Sequence, residues 1–209
     1  MNNDAQMAVI GAEAARVVTD KATNFVSEVV GENLKNLVGL MGGDWLVVKR
    51  EENLARLRRD SEARLAALNV TEREPVSISV AVPLLKGAAD ESREELATLW
   101  ANLLAAAMNP ATSRDVSRAF IAAVERMEPL DALCLKALEQ AQRDPNLASY
   151  TSRDVIARET GIEAEQIVVA FFNLMQIGLV TPASGGSLNT EQPDVRLTAR
   201  GRQLLKLVS

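Results

Sequence analysis

The sequence of 209 residues contains no histidine and a single cysteine, Cys134. Histidine is the commonest general base and the commonest metal ligand in proteins, and zinc sites are built mainly from cysteine and histidine. The composition therefore excludes zinc sites of that kind in practice, and an enzyme would need a carboxylate or lysine mechanism. A single cysteine also cannot form an internal disulfide, which fits a reducing compartment.

Aromatic residues are scarce at 3%, whereas hydrophobic residues as a whole make up 47% of the sequence. The core must therefore be built from aliphatic side chains and alanine, which favours packed helices over a sheet rich in aromatic and β-branched residues. Charged residues make up 24%, an ordinary value for a globular protein, so no large disordered fraction is expected.

The net charge of −5 makes the molecule as a whole repel phosphate backbones and anionic membrane surfaces. The first residues, Met1 to Asp4, lack the basic segment that opens a secretory signal peptide, and charged residues interrupt the stretch that follows. We therefore expect a cytoplasmic protein.

A central helix is predicted over residues 91–108, within the segment DESREELATLWANLLAAAMNP. Ser92 and Glu95 have the spacing of a capping box, and Pro110 provides the stop. Leucines, alanines and Trp100 recur at three- and four-residue steps between them, which indicates a wide buried face.

The same segment also has a membrane interpretation, because residues 96–113 carry no charge and a span needs ~18 or more apolar residues. Asn102, Asn109 and Pro110 interrupt this run, and an acidic capping turn is unusual at the edge of a membrane span. The pattern favours the central helix of a soluble bundle.

Two long amphipathic helices are predicted before it, over residues 5–38 and 45–68. The polar face of the first is mixed in sign, whereas helices that lie on membranes are usually rich in lysine and arginine. Helix packing is therefore favoured over membrane attachment. The mixed charges of the second helix are typical of a solvated surface, although Arg56, Arg58 and Arg59 form a local basic cluster.

The segments on either side of the central helix are less regular. Residues 76–82 alternate apolar and small side chains and are read as a short strand or an extended approach, with Pro83 opening a short helix over 84–89. Ser113 is predicted to cap a helix over 114–127. We place a domain boundary after residue 128, which gives a helical domain over 1–128 and a second domain over 129–209.

The second domain has the order of elements of a winged helix-turn-helix. Its turn signals are Gly161 and Gly178, which end helices, and Thr198, which caps the last one. Its predicted elements are a helix over 130–142, a short helix in SRDVIARET capped by Thr151 or Ser152, a helix over 163–177, strands over 179–182 and 195–197 around an SGGS tip, and a final helix in TARGRQLLKLV.

A DNA-reading helix needs hydrogen-bond donors for base edges and cations for phosphates. The helix over 163–177 instead contains Glu163 and Glu165 and no lysine or arginine, and apolar side chains cover most of its circumference. We therefore expect a homo-oligomer or a protein partner, and DNA is the less favoured alternative. The predicted partner-binding residues are Val168, Phe171, Phe172 and Met175. The residues that could contact DNA are Arg196, Arg200 and Arg202.

No catalytic constellation is found, and no cofactor or metal is predicted. Asp90, Glu91, Glu94 and Glu95 are close carboxylates, but they fall in a capping turn without a facing partner. Cys134 lies among leucines on an apolar helical face, where cysteine is usually a small core residue. The protein is therefore predicted not to be an enzyme.

The segment VAVPLLKGAADESREELATLWANLLAAAMNP, followed by MEPLDALCLKAL, resembles the abortive-infection alpha family of bacterial proteins. The resemblance rests on the acidic turn, on residues 99–104 and on the step from Pro129 to Ala132. It implies a helical cytosolic protein connected with phage defence, and it supplies no reaction and no catalytic residues. The sequence thus predicts a mainly α protein, with a helical bundle followed by a winged helix, that acts through protein contacts in anti-phage defence; the alternative is a DNA-binding regulator.

Overall fold

The structure, a computed structural model, describes residues 24–30, 44–143, 151–182 and 194–209. Residues 24–30 are helical and are labelled α1 here. The rest of the predicted helix over 5–38, residues 39–43 and the SGGS tip lie outside the described residues. The prediction of a mainly α fold is confirmed.

The described elements follow one another along the chain in a fixed order. They are α2 (Asp44–Ala67), α3 (Ile78–Asp90), α4 (Glu94–Met108), a 3-10 helix (Ser113–Asp115), α5 (Arg118–Glu125), α6 (Pro129–Arg143), α7 (Arg153–Thr160), α8 (Ala164–Ile177), β1 (Val180–Pro182), β2 (Val195–Leu197) and α9 (Ala199–Val208).

The chain divides into two compact units. The first comprises Met1–Ser92 and Trp100–Ile121, and the second comprises Arg93–Leu99 and Ala122–Ser209. The domain boundary after residue 128 stays a prediction.

In the first unit, α2 packs against α3 and the second half of α4 forms much of the core. All six residues over 103–108 are buried, as expected for a helix that is apolar on every side. Trp100 is only 2% exposed, and its ring lies against Gly87 of α3, where a Cβ atom would come within 2.6 Å. A glycine is therefore needed at this crossing.

Polar side chains of α2 satisfy the carbonyl groups at the end of α3. Asn53 donates from Nδ2 to the carbonyl of Ala89 (2.8 Å), and Arg56 donates from Nη2 to the carbonyl of Glu91 (2.6 Å). Of the basic cluster noted in the sequence, Arg58 pairs with Glu62 and Glu28. These cations therefore bind groups of their own chain.

The strand interpretation of residues 76–82 is wrong, because α3 begins at Ile78 and Pro83 is its sixth residue. The buried residues of α3 follow helical spacing, with Ala81, Leu84 and Ala88 among them. Burial of this face outweighs both the proline, which removes one backbone donor, and the alternating pattern of the sequence.

The predicted caps around α4 and α5 are also wrong. Helix α4 begins at Glu94, so Ser92 does not occupy the capping position. Ser113 donates its hydroxyl to Glu74 Oε2 (2.7 Å) and opens only a 3-10 turn. The backbone is extended at Val116, so the helix expected over 114–127 is confined to α5.

In the second unit, α8 packs against α6 and α7, and β1 pairs antiparallel with β2. Thr151 extends this pairing, because it exchanges backbone hydrogen bonds with Val195 (2.8 and 3.0 Å). Local caps agree with the sequence. Ser152 caps α7, Thr198 caps α9, and Gly161 and Gly178 end α7 and α8 with positive φ angles of 72° and 81°.

Across the parts of the chain that the structure describes, no helix combines the length and the hydrophobicity that a membrane crossing requires.

Candidate protein-interaction surface

Helix α8 has one face in the core of its unit. The buried side chains, Ile167, Ala170, Phe171, Leu174 and Ile177, recur at helical spacing and face the elements that pack on α8. Gly178 closes the helix, and its left-handed conformation lets the chain turn directly into β1. The orientation of α8 about its axis is therefore fixed by burial.

The opposite face of α8 is apolar at its centre and exposed. Val169 is 68% exposed, the largest fraction among the exposed large hydrophobic side chains of the described residues. Phe172, four residues before Gln176, is half-buried on this side, and so are Val168 and Met175. We call the row formed by Glu165, Val169, Phe172 and Gln176 the α8 seam.

The structure separates the predicted partner-binding residues. Val168, Phe172 and Met175 lie at the border of the exposed face, but Phe171 is 0% exposed and belongs to the core. Phe171 is therefore removed from the surface, and Val169 is the residue that the prediction missed. Val169 is four residues after Glu165 and seven before Gln176, so it lies between polar residues on one helical row, but this spacing alone does not show which row of the helix faces solvent.

Two polar residues attach α8 to α6. Asn173 donates from Nδ2 to the carboxylate of Asp131 and to the carbonyl of Arg126 (3.4 Å). Asp131 also accepts a hydrogen bond from the backbone N–H of Glu128 (2.7 Å), the residue that precedes α6. Asp131 thus caps the start of α6 and holds α8 with the same oxygen.

Asp131 is only 2% exposed. Burial raises its pKa above the ordinary value, while its hydrogen bonds from Glu128 and Asn173 act in the opposite direction. The sequence analysis noticed Asn173 only as a polar position and did not connect it with Asp131. No local pattern joins two residues that are 42 positions apart.

The three arginines that were predicted as possible DNA contacts lie in different environments. Arg196 is exposed on β2, whereas Arg202 donates from Nη1 to the carbonyl of Leu197 (2.7 Å) and so helps to fix the start of α9. Arg200 is half-buried, and its Nη1 lies 3.6 Å from the place that a Cβ atom would take on Gly178. DNA contact by these residues stays a prediction.

The single cysteine, Cys134, is a buried packing residue. Cys134 is 0% exposed, and burial raises the pKa of its thiol to about 12, with a smaller effect from Asp131. The thiol is therefore protonated at neutral pH and is a poor nucleophile.

Within the described ranges, no three acidic or cysteine side chains converge as metal ligands would. Asp90 of the acidic turn pairs with Arg50 (2.5 Å).

These features define a mainly helical protein whose second unit presents an exposed apolar helix face. The chain belongs to the abortive infection alpha family, whose model matches residues 49–207. The resemblance seen in the sequence is confirmed, and the match runs from α2 to α9. No curated protein and no solved structure matches the chain.

Proposed function

We propose that this protein is a non-enzymatic interaction protein that acts in the cytoplasm of bacteria, in abortive-infection defence against phage. Membership of the abortive infection alpha family supports the role in defence. The exposed centre of α8 supports the interaction mechanism, because Val169 is 68% exposed and the half-buried Val168, Phe172 and Met175 beside it extend it into an apolar patch.

We also propose that the second unit is a winged helix. In such a domain a first helix is followed by a short strand, two helices and a hairpin, the wing. The order of α6, Thr151, α7, α8, β1 and β2 agrees with this arrangement, and the bridge between Thr151 and Val195 supplies the short strand. Helix α8 then takes the position of the recognition helix.

The residues of α8 support protein binding at this position over DNA binding. Glu163 and Glu165 precede and open the helix, and carboxylates at the leading end of a recognition helix repel the phosphate backbone. Base edges are read by hydrogen-bonding side chains, whereas the centre of the α8 seam is Val169 and Phe172. The single observation that carries the mechanism is the exposure of Val169.

The experiment is a phage challenge of bacteria that carry the gene at its native locus, as wild type, Val169→Asp or Gln140→Asp. Gln140 is exposed on α6, so its variant adds the same charge away from α8. An aspartate forced into an apolar contact should weaken binding by about tenfold or more, equivalent to ~1.4 kcal/mol. We expect Val169→Asp to lose protection and Gln140→Asp to keep it.

Both purified variants should unfold at the temperature of the wild type, because both positions are exposed. Full protection by a folded Val169→Asp protein would contradict the proposed function, since the α8 surface would then be dispensable.

A further inference from the structure

We propose that the hydrogen-bonded pair of Asp131 and Asn173 selects which face of α8 enters the core, and so keeps the apolar patch of Val168, Phe172 and Met175 at the surface. The inference rests on the proposed function for the role of that patch. Its own claim concerns the orientation of α8 about its axis.

Two neighbouring faces of α8 are apolar enough to lie in a core. The observed core face consists of Ile167, Ala170, Phe171, Leu174 and Ile177. The neighbouring face, also at steps of three and four residues, consists of Ala164, Val168, Phe171, Phe172 and Met175. A rotation of α8 by about 100°, the angle between successive residues, would exchange them. Each face has five members of similar total size, so apolar burial alone separates the two orientations only weakly.

The polar pair distinguishes the two orientations. Asn173 is half-buried at the border of the observed core face, four residues before the buried Ile177. Its Nδ2 donates to Asp131 and to the carbonyl of Arg126 (3.4 Å), so it reaches both ends of the connection between α5 and α6. Rotation onto the neighbouring face would carry Asn173 to the side of α8 that is opposite the core, away from both acceptors.

Nothing in the rotated helix would replace this amide. The next residue, Leu174, would take the place of Asn173 beside α6, and its side chain has no hydrogen-bond donor. Asp131 is 2% exposed, so its carboxyl would lose the amide without gaining bulk water. A buried polar group that loses its partner is costly, and the pair therefore penalises the rotated orientation.

A single buried polar contact has this role in coiled coils, where it selects one of several apolar packings. In α8 the selected orientation leaves Val168, Phe172 and Met175 half-buried beside the exposed Val169. The rotated orientation would place the first three in the core. The pair thus preserves the apolar patch on which the proposed function depends.

The test measures solvent access at two positions of α8 by thiol labelling of the full chain. Ala170→Cys places a thiol on the observed core face, and Val168→Cys places one on the neighbouring face. The native Cys134 is 0% exposed, so its own labelling is slow, and the unsubstituted protein measures it. We expect the thiol at position 168 to react about tenfold or more faster than the thiol at position 170.

Asn173→Ala, added to each of these two proteins, removes the amide and with it the penalty on rotation. Asn173 is only half-buried, so the variant should still fold. We expect labelling at position 170 to become faster and labelling at position 168 to become slower, until the two rates lie within about threefold of each other. Unchanged rates would show that burial alone orients α8, and faster labelling at both positions would show general loosening. Either result would overturn the proposal.

Two control variants test whether the effect belongs to this pair. Gln142→Ala removes another half-buried amide of the same unit, whose Oε1 accepts from the backbone N–H of Leu197 (3.4 Å). Asp131→Asn keeps an oxygen that can accept both hydrogen bonds. Both should leave the ratio of the labelling rates unchanged. If Gln142→Ala also removed the difference between positions 168 and 170, the selection could not be assigned to Asp131 and Asn173, and the proposal would be wrong.

The labelling rates and the phage challenge separate this inference from the proposed function. If Asn173→Ala brings the two rates together but Val169→Asp keeps full protection, the pair orients α8 and the proposed function fails alone. If Asn173→Ala leaves the rates unchanged but Val169→Asp loses protection, this inference fails and the proposed function stands.

Discussion

Helices α4 and α8 are both apolar, yet the structure uses them differently. In α4 the six residues over 103–108 are all buried. In α8 the burial is confined to one face, and Val169 on the other is 68% exposed. A helix segment that is buried on every side stabilises the fold, whereas a helix that is buried on one side only retains a surface for binding.

The difference lies in how much of each helix surface is covered. Helix α8 contacts α6, α7 and β1, and these place Phe171 and Leu174 in the core. They leave Val169 and Phe172 uncovered or partly covered. The comparison predicts that truncating a buried side chain of α4, or of the buried face of α8, lowers the stability of the protein. Truncating a side chain on the exposed face of α8 should instead weaken binding.

Replacement of Trp100 by alanine should have the largest effect on stability. Trp100 is 2% exposed, so its loss leaves a cavity that should lower the free energy of unfolding by about 3–5 kcal/mol. Val169→Ala on the exposed face of α8 is a smaller truncation at an exposed position and should stay within about 0.5 kcal/mol, as is usual at surface positions. Urea denaturation of both variants measures the two values, and similar losses would contradict the contrast between the helices.

Two adjacent phenylalanines sharpen the comparison within α8 itself. Phe171→Ala removes a fully buried side chain and should cost about 3–5 kcal/mol. Phe172→Ala removes a half-buried one on the candidate surface, so we expect a smaller loss of stability together with weaker protection in the phage challenge. Denaturation of the purified variants and the phage challenge separate the two effects. A larger loss of stability for Phe172→Ala than for Phe171→Ala would show that Phe172, and not Phe171, faces the core.

The contact between α3 and Trp100 should tolerate no extra atom. A Cβ atom on Gly87 would come within 2.6 Å of the Trp100 ring, so Gly87→Ala should destabilise by about 1–3 kcal/mol although alanine is the better helix former. Lys86→Ala, at an exposed position of the same helix, is the control. In a Trp100→Phe background the smaller ring makes room, and the penalty of Gly87→Ala should shrink. An equal penalty in both backgrounds would show that the ring is not the cause.

The smallest expected effect is a pH dependence at the attachment of α8 to α6. Burial raises the pKa of Asp131 above 3.8, so the folded protein holds this proton more tightly than the unfolded chain. The contribution of this group to the free energy of unfolding is therefore largest below pH 3.8. It falls as the pH rises from 3.8 to the raised pKa of the folded protein. Asp131→Asn keeps an oxygen that can accept both hydrogen bonds, but it does not titrate.

The difference in free energy of unfolding, wild type minus Asp131→Asn, should accordingly decrease as the pH rises through this range. Denaturation at a series of pH values measures it, and a difference that increases with pH would show that the carboxyl is stabilised in its charged form.

Much of the fold was accessible from local sequence signals. The caps of α7 and α9 and the glycines that end α7 and α8 were predicted because each acts within a few residues through its own backbone geometry. Residues 76–82 were misread, because an alternating pattern looks like a strand until the helix against which it packs is known. Ser113 was misassigned as a cap, because Glu74, its partner, is 39 residues away.

The candidate surface was only partly accessible. The sequence showed that α8 is too apolar for a DNA-reading helix, and it predicted Phe172 and Met175 as partner-binding residues. It could not tell that Phe171 is buried and Val169 exposed. Which side of an apolar helix faces solvent depends on neighbours that come from other parts of the chain.

The sequence by itself determined the helical class, the family, and the ends of the helices in the second unit, because these depend on composition and on interactions between near neighbours. The tertiary structure alone decided that Asp131 holds Asn173, that Gly87 receives Trp100, and that Val169 stays in solvent. Burial is a property of distant residues brought together, and no local pattern contains that information.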